Sequence, residues 1–292
     1  MTTALMTLFA SLLCIPAVEA AGPTSGPSAG EFVLDYGSAV NAGLQGQVEK
    51  IDRELREKLG MTGEQAAVGV LDRKTGRLAL IHPDRIEYAA SVPKVGILLT
   101  YFHDHPEATT KIDPAVQHEL GLMAKASSNE MASKYSHQLG LKHVQEVLGE
   151  YKFYDAAHGG GIWVGKHYGK DSERYPDPVG NHSHAATVRQ LVRFWLLLDQ
   201  GKLVSPEACA KMKEIFASPD VPHDDIKFVK GLKGRDVQIL RKWGSWENWL
   251  HDTALVEGKD RKYILVALTQ HPKGDEYLEE LARRVDDLMQ GK

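Results

Sequence analysis

Segments with the composition of β-strands lie near both ends of this chain, and the long stretch between them has a helical pattern. Near the N-terminus, Ala66–Leu71 and Leu78–Ile81 flank the turn-forming residues 72–76, which predicts a hairpin. Strand character returns near the C-terminus at Val237–Trp243, Thr253–Val256 and Tyr263–Thr269. Because strands must pair with one another, we predict one sheet assembled from both ends of the chain.

The stretch between these strands, from about residue 95 to residue 198, predicts helices and loops. Apolar residues also repeat at helical spacing in Val48–Leu59, before the first strand, and in Glu276–Met289, after the last. We therefore predict an α+β fold in which a helical region is inserted into a sheet that is flanked by helices.

The beginning of the chain has the pattern of an export signal. A small and apolar run at residues 4–18 leads into Val18-Glu19-Ala20, which has the small-x-small form of a cleavage site. We expect an exported protein, periplasmic or secreted, whose mature chain begins near Ala21. No Lys or Arg precedes the run, so either the signal is atypical or the true start of the chain lies upstream. An uncleaved anchor, or a lipoprotein lipidated at Cys14, is the less favoured alternative.

The composition and net charge of the chain indicate its class of protein and limit its partners. With 42% hydrophobic and 25% charged residues, it has the usual balance of a globular protein, and a net charge of −4 does not favour nucleic acid or an anionic membrane as a partner.

We assign a signal peptide to residues 1–20, a linker to 21–41 and one domain to 42–292. The sheet part of this domain is assigned to 42–95 and 205–292, and its helical part to about 96–204.

A serine and a lysine three residues apart follow the predicted hairpin. Pro93 suits the first turn of a helix, which predicts Ser91 at the helix N-terminus and Lys94 one turn further on. At this spacing Lys94 can reach back to the hydroxyl and act as its base. The first backbone N–H groups of the helix can bind a developing oxyanion. Taken alone, the pattern also fits a capped helix with an exposed lysine.

A polar cluster, Ser127-Ser128-Asn129, interrupts the helical middle. Serine and asparagine are poor interior helix residues, so the cluster predicts either the N-cap of the next helix or a turn that presents side chains. In the second interpretation, Ser127 could pass a proton to a leaving group and Asn129 could bind a substrate amide.

A third segment lies on or at the end of the predicted strand from Val237. Lys242 supplies a fixed cation, Gly244 permits close approach of a backbone or ligand, and the N–H of Ser245 could complete an oxyanion hole. A basic, aromatic edge strand is the structural alternative.

Taken together and in this order, the three motifs resemble those of the penicillin-recognising serine hydrolases, and most of all the class A β-lactamases. The motifs are Ser91-x-x-Lys94, Ser127-x-Asn129 and Lys242-x-Gly244, and the resemblance covers roughly residues 48–288. It implies a β-lactamase/transpeptidase-like fold: a five-stranded antiparallel sheet flanked by helices, an inserted all-helical part, and a site between them.

The resemblance also implies a role for each matching residue. Ser91 would be the acylated nucleophile, Lys94 its proton acceptor, and Ser127 the relay to the leaving nitrogen. Asn129 would hold Lys94 and the substrate side-chain amide, while Lys242 would face Ser127 and the substrate carboxylate. Because two lysines in one pocket repel each other, we expect the pKa of one to be lowered.

Two positions around the motifs depart from the class A pattern. Ser128 stands where aspartate is usual. Trp243 stands where a threonine or serine hydroxyl normally binds the substrate carboxylate, and Ser245 or Arg241 could replace it.

The loop glutamate that activates the deacylating water in class A enzymes has no counterpart here, since residues 158–170 hold no carboxylate. The glycines of this segment predict a loop that borders the pocket. Asp171 and Glu173 lie closest to the place of the missing glutamate. Either one of them is the base or the acyl-enzyme is long-lived, and we favour the second because neither carries the expected asparagine four positions on.

We therefore expect a serine hydrolase that forms an acyl-enzyme at Ser91 with a small-molecule or peptidoglycan-derived substrate, a β-lactam by resemblance. D-alanyl peptidase and esterase activity remain open, as does a non-hydrolytic envelope module that binds β-lactams or peptidoglycan. We expect a monomer without cofactor or metal. The pairs His103/His105 and His182/His184 have no known ligand spacing, and we interpret them as solvated or loop histidines.

Overall fold

The structure, a computed structural model, describes Met1, residues 32–169 and residues 173–292. The predicted signal segment after Met1, the first part of the predicted linker, Cys14 and Asp171 lie outside the described residues.

The long strands and the helices follow the predicted order along the chain, whereas short strands between residues 154 and 186 lie in the stretch that was predicted to hold only helices and loops. The strands are β1 (Ala66–Asp72), β2 (Leu78–Ile81), β3 (Glu87–Tyr88), β4 (Tyr154–Asp155), β5 (Gly160–Gly161), β6 (Trp163–Val164), β7 (His184–Ala186), β8 (Val237–Trp246), β9 (Trp249–Gly258) and β10 (Lys262–Gln270). The helices are α1 (Ala42–Leu59), α2 (Lys94–Asp104), α3 (Pro114–Ala124), α4 (Asn129–Leu139), α5 (Leu141–Glu150), α6 (Val188–Asp199), α7 (Pro206–Ala217), α8 (Lys227–Gly231) and α9 (Gly274–Met289).

Both ends of the chain contribute to one antiparallel sheet, as predicted. Its five strands run in the order β2-β1-β10-β9-β8, and the two parts of the chain meet where Ala66 pairs with Thr269 and Asp72 pairs with Tyr263. Strands β8 and β9 are longer than predicted, because Trp246 pairs with Trp249 across a tight turn. This arrangement makes β8 an edge strand of the sheet.

The sheet is covered by helices on both faces. On one face, Val68 and Val70 of β1 pack in a cluster with α1 and α9, and on the other face Ala67 and Leu71 pack in a cluster with α2 and α6. The second contact is close, since a Cβ added to Gly69 would lie 2.6 Å from Val188 of α6. Alternate residues of β1 therefore serve two layers of core.

Helix α2 lies at the centre of the helical part and packs against α3, α4 and α5. Its residues Lys94–Thr100 are all buried, because it is apolar around its whole circumference. A second small sheet, of order β3-β7-β6, leads into the start of α2. The Ala89 N–H donates to the His184 carbonyl at 2.9 Å, which fixes the turn before the helix against β7.

Within the part of the chain that the structure describes, no helix combines the length and the apolar run needed to cross a membrane.

Candidate active site

Ser91 lies in the turn that leads from β3 into α2, and the helix begins at Lys94 itself, not one turn before Lys94 as predicted. The turn is closed by the Val92 N–H, which donates to the Ala89 carbonyl at 2.9 Å, and Ala90 takes a left-handed φ of 49°. A cavity of about 710 Å³ opens over this turn, and Ser91, Asn129 and Ser245 are among the residues that line it. The structure thus brings together residues from all three sequence motifs.

Lys94 is buried beneath this cavity. Its Nζ donates to the Ser127 carbonyl at 2.6 Å and to Asn129 Oδ1 at 2.7 Å. Among the described residues, the hydrogen-bond acceptors of this amine therefore lie in α4 and in the turn before it. The predicted contact of Lys94 with the Ser91 hydroxyl is not among them. Burial lowers the pKa of Lys94 to about 7. A neutral amine has two N–H donors and one lone pair, so these two acceptors leave the lone pair available.

Ser127 connects Lys94 with Lys242. Its left-handed φ of 59° places the hydroxyl between the two amines, 2.8 Å from Lys242 Nζ and 3.4 Å from Lys94 Nζ. Burial, followed by the charges of Lys94 and Arg241, holds the pKa of Lys242 well below its usual range. Repulsion between the two lysines therefore contributes to the lowered pKa of Lys242, whereas the lowered pKa of Lys94 comes from burial.

The Ser127-Ser128-Asn129 cluster combines both structural alternatives, an N-cap and a turn that presents side chains, while the roles of Ser127 and Asn129 toward a substrate stay predictions. Ser128 caps α4, because its Oγ accepts a hydrogen bond from the Met131 N–H at 3.2 Å. Ser127 and Asn129 on either side of it contact Lys94. A single helix start therefore supplies both a structural cap and two polar groups of the site.

Gly244 sets the distance between the edge strand β8 and the start of α2. A Cβ added there would lie 2.7 Å from the Ala89 carbonyl oxygen and 3.0 Å from the Ser91 nitrogen. Both neighbours are backbone atoms, so only glycine fits without displacing one of the two segments. The close approach brings the backbone of Gly244, the residue before Ser245, beside that of Ser91.

A third lysine of the site, Lys227, was missed by the sequence reasoning. It begins the short helix α8 with a left-handed φ of 53°, and its buried Nζ donates to the Gly244 carbonyl at 2.9 Å and to Ser245 Oγ at 2.5 Å. Burial lowers its pKa to about 8. No local pattern marks this residue, since its contacts come from a strand that is distant in sequence.

Comparisons with known proteins concern the family and the fold of this chain. The family model for the beta-lactamase enzyme family matches residues 120–289, which is more than half of the chain. The chain belongs to the beta-lactamase enzyme family. A relative named "Putative lipoprotein LppW" in Mycobacterium tuberculosis is 24% identical over 233 residues, which cover 76% of this chain and 68% of the relative.

Solved structures of β-lactamases and of PBP-A share the fold. A β-lactamase from Sphaerobacter thermophilus superposes with a TM-score of 0.65 at 13% identity, covering 85% of this chain and 98% of that one. A class A β-lactamase from Mycobacterium abscessus gives 0.64 at 15% identity, covering 84% and 99%. A PBP-A variant solved as an acyl-enzyme with penicillin G gives 0.66 at 16% identity, covering 85% and 98%.

Within this β-lactamase family fold, Trp243 fills the position next to Lys242 with a ring. Its centroid lies 5.3 Å from Lys242 Nζ and 4.8 Å from Lys227 Nζ, and its indole N–H donates to the Lys125 carbonyl at 3.2 Å. The hypothesis that Arg241 binds the substrate carboxylate is wrong. Arg241 is completely buried, and its guanidinium forms an ion pair with Asp252 at 3.2 Å beneath the strand.

The glycine-containing loop borders the cavity, as predicted, with Lys166, His167 and Tyr168 in its lining. Glu173 is exposed, its carboxylate accepts a hydrogen bond from the Tyr175 hydroxyl, and it does not line the cavity. No carboxylate occurs among the described residues of the lining. Asp171 lies outside the described residues.

Part of the cavity wall is aromatic. The Tyr168 ring centroid lies 4.4 Å from Lys94 Nζ and stacks on the His184 ring at 4.2 Å. The interpretation of His184 as a solvated or loop histidine is wrong. It belongs to β7 and is only 5% exposed, because its strand pairs with β3 directly before Ser91.

Another group of histidines lies at the far end of α2 from Ser91. Possible ligand atoms of His103, Asp104 and His143 all lie within 4.8 Å of one another. One Asp104 oxygen is 2.9 Å from a ring nitrogen of each histidine, so hydrogen bonds to that carboxylate account for the grouping. These contacts raise the pKa of His143.

Proposed function

We propose that this protein is an exported serine hydrolase in which Ser91 is acylated by the substrate. The observation that carries the proposal is the pair of buried lysines, Lys94 and Lys242, that share the Ser127 hydroxyl beneath the cavity lined by Ser91. A serine hydroxyl needs a nearby base to become a nucleophile. A lysine with a pKa of about 7 is unprotonated in a sufficient fraction of the molecules near neutral pH to act as that base.

The positions of these groups support the following acylation step. Lys94 takes the proton of the Ser91 hydroxyl as Oγ attacks the substrate carbonyl carbon. The backbone N–H groups of Ser91 and Ser245, which Gly244 allows to lie close together, stabilise the oxyanion. Ser127, which lies between the two lysines, passes the proton to the leaving group as its bond to the carbonyl carbon breaks.

The substrate is proposed to be an anion, and a β-lactam is the favoured class. Lys242 and Lys227 place positive charge beneath a cavity with no carboxylate among its described lining residues, and the Ser245 hydroxyl lies at its edge. Membership of the β-lactamase family and the fold shared with a penicillin G acyl-enzyme support the same class. Peptide and ester substrates present the same carbonyl chemistry to Ser91.

The absence of a carboxylate from the described lining favours slow hydrolysis of the acyl-enzyme. That observation also supports the second candidate function, a non-hydrolytic envelope module that binds β-lactams or peptidoglycan. Export is supported by the name of the lipoprotein relative and by the signal-like residues 1–20.

Intact-protein mass spectrometry after mixing with penicillin G or p-nitrophenyl acetate tests the proposal. We expect a covalent adduct on the wild-type chain, none on Ser91→Ala, and an unchanged adduct on Ser183→Ala, a matched serine of the same cavity. An adduct that disappears with time indicates a hydrolase, and a permanent one indicates the binding module. Labelling that persists in Ser91→Ala, or a wild-type chain that neither probe labels, would contradict the proposal.

A further inference from the structure

A group of side chains that can bind a metal lies at the end of α2 that is remote from Ser91. His103 and Asp104 are the last two residues of α2, and His143 lies in the first turn of α5, which packs against α2. Possible ligand atoms of all three lie within 4.8 Å of one another. Because a helix rises about 1.5 Å per residue, Asp104 lies about 15 Å along α2 from Lys94, so this group is separate from the candidate active site.

We propose that His103, Asp104 and His143 bind a divalent transition-metal ion, with Zn²⁺ the favoured one, and that this ion links α2 to α5. The proposal is independent of the function proposed above. Imidazole nitrogens and carboxylate oxygens are ligands that Zn²⁺ takes in proteins, whereas Mg²⁺ and Ca²⁺ are bound by oxygen ligands. Two nitrogens among three ligands therefore favour a transition metal.

The distances between the ligand atoms are close to those of a zinc site. Zn–N and Zn–O bonds of about 2.0–2.1 Å in tetrahedral geometry place neighbouring ligand atoms about 3.3 Å apart. Asp104 Oδ1 lies 2.9 Å from His103 Nδ1 and 2.9 Å from His143 Nε2. These hydrogen bonds already hold the three side chains together, and a shift of about 0.4 Å in each would give the spacing found around an ion.

Each histidine directs its other ring nitrogen to a further carboxylate. His143 Nδ1 is hydrogen-bonded to Glu146 Oε2 at 3.3 Å, and His103 Nε2 lies 3.3 Å from Glu150 Oε2. A neutral imidazole has one N–H and one lone pair, so it can donate to this outer carboxylate while its inner nitrogen binds an ion. A carboxylate behind a ligating histidine is common in protein metal sites, because it fixes the orientation of the ring and makes the ligand more basic.

Charge and exposure also favour a cation at this place. Asp104, Glu146 and Glu150 are three carboxylates in contact with two imidazoles, and the C-terminal end of α2 carries the negative end of the helix dipole. Between 26% and 38% of each ligand side chain is exposed. An ion can therefore enter from solvent, and water can take the fourth ligand position.

The spacing of histidines in the sequence does not reveal this group, because its members come from two separate helices. His143 lies 39 residues after Asp104 in the chain. The sequence pairs His103 with His105, but His105 contacts Glu107 at 3.2 Å instead. The expectation of a chain without metal rests on spacing alone and does not take His143 into account.

Isothermal titration calorimetry of Zn²⁺ into the purified protein, prepared without a histidine tag, tests the proposal. We expect the strongest binding event to take up one Zn²⁺ per chain, and to be at least tenfold weaker in His103→Gln and in His143→Gln. His105→Gln, at the exposed histidine directly after the cluster, is the matched control and should bind Zn²⁺ as the wild type does. An excess of Mg²⁺ should not displace the Zn²⁺.

Thermal unfolding separates a lost ligand from a damaged fold. Without metal, the midpoints of His143→Gln and wild type should agree within about 2 °C, because the substituted side chain lies at the surface. With Zn²⁺ at about a hundred times its dissociation constant, the midpoint should rise by about 5 °C in the wild type and not in His143→Gln.

Three results would overturn the proposal: no Zn²⁺ binding by the wild type, wild-type affinity in either ligand variant, or equal weakening in His105→Gln. None of them would affect the proposed acylation of Ser91, which does not involve this end of α2.

Discussion

Gly244→Ala should damage the proposed oxyanion hole more than it damages the fold. The added Cβ would lie 2.7 Å from the Ala89 carbonyl oxygen, whereas ordinary contact begins at 3.4 Å, so β8 must move by about 0.7 Å from the start of α2. Overpacking of this kind destabilises a protein by about 1–3 kcal/mol. The same movement separates the N–H groups of Ser91 and Ser245, and a misplacement of nearly 1 Å can slow a reaction by about 10²-fold.

Gly69→Ala is the matched control for this prediction. Its Cβ would lie 2.6 Å from Val188 and 2.7 Å from Val192, a similar overlap in the core between β1 and α6. Urea unfolding should show comparable destabilisation of the two variants, while the acylation rate with p-nitrophenyl acetate should fall about 10–100-fold in Gly244→Ala alone. Equal acylation rates in the two variants would refute the assignment of this oxyanion hole.

Two further predictions concern the lysines. Because only neutral Lys94 can accept the Ser91 proton, the rate of acylation by a neutral ester should rise about tenfold per pH unit up to the pKa of Lys94, about 7, and then level off. An acylation rate that does not change with pH below 7 would contradict this prediction. With anionic penicillin G the acylation rate should fall again above the pKa of Lys227, which is about 8. Lys227→Met should lower the rate of acylation by penicillin G about tenfold and leave the rate with p-nitrophenyl acetate unchanged. Lys230→Met, at an exposed lysine, is the control.

The sheet could be predicted from the sequence because its signals are local. Alternating and continuous apolar runs mark β1 and β10, and the helical period marks α1 and α9. The extension of β8 and β9 could not be predicted in the same way. Their ends carry Trp246 and Trp249, which pair across a tight turn that has no Asn-Gly or Asp-Gly signal.

The residues of the three motifs were accessible to sequence reasoning, but the physical causes around them were not. Lys227 became part of the site only because a left-handed residue at the start of α8 directs its amine to Gly244 and Ser245. His184 was misread because pairing between β3 and β7, which buries it, links segments far apart in the chain. Both errors concern contacts that depend on tertiary structure and leave no periodic pattern.

Trp243 explains how two of the three lysines share one small volume. Each ammonium has an acceptor on the backbone of β8: Lys242 donates to the Trp243 carbonyl at 2.7 Å and Lys227 to the Gly244 carbonyl at 2.9 Å. The indole ring lies close to both cations, and a ring in this position stabilises a desolvated cation by about 2 kcal/mol. A threonine or serine there could offer the substrate a hydroxyl, but it could not contact both lysines with a ring. The proposed anion recognition at this edge of the cavity would therefore depend on Lys227, Lys242 and Ser245, which is why the Lys227→Met comparison tests it with charged and neutral substrates.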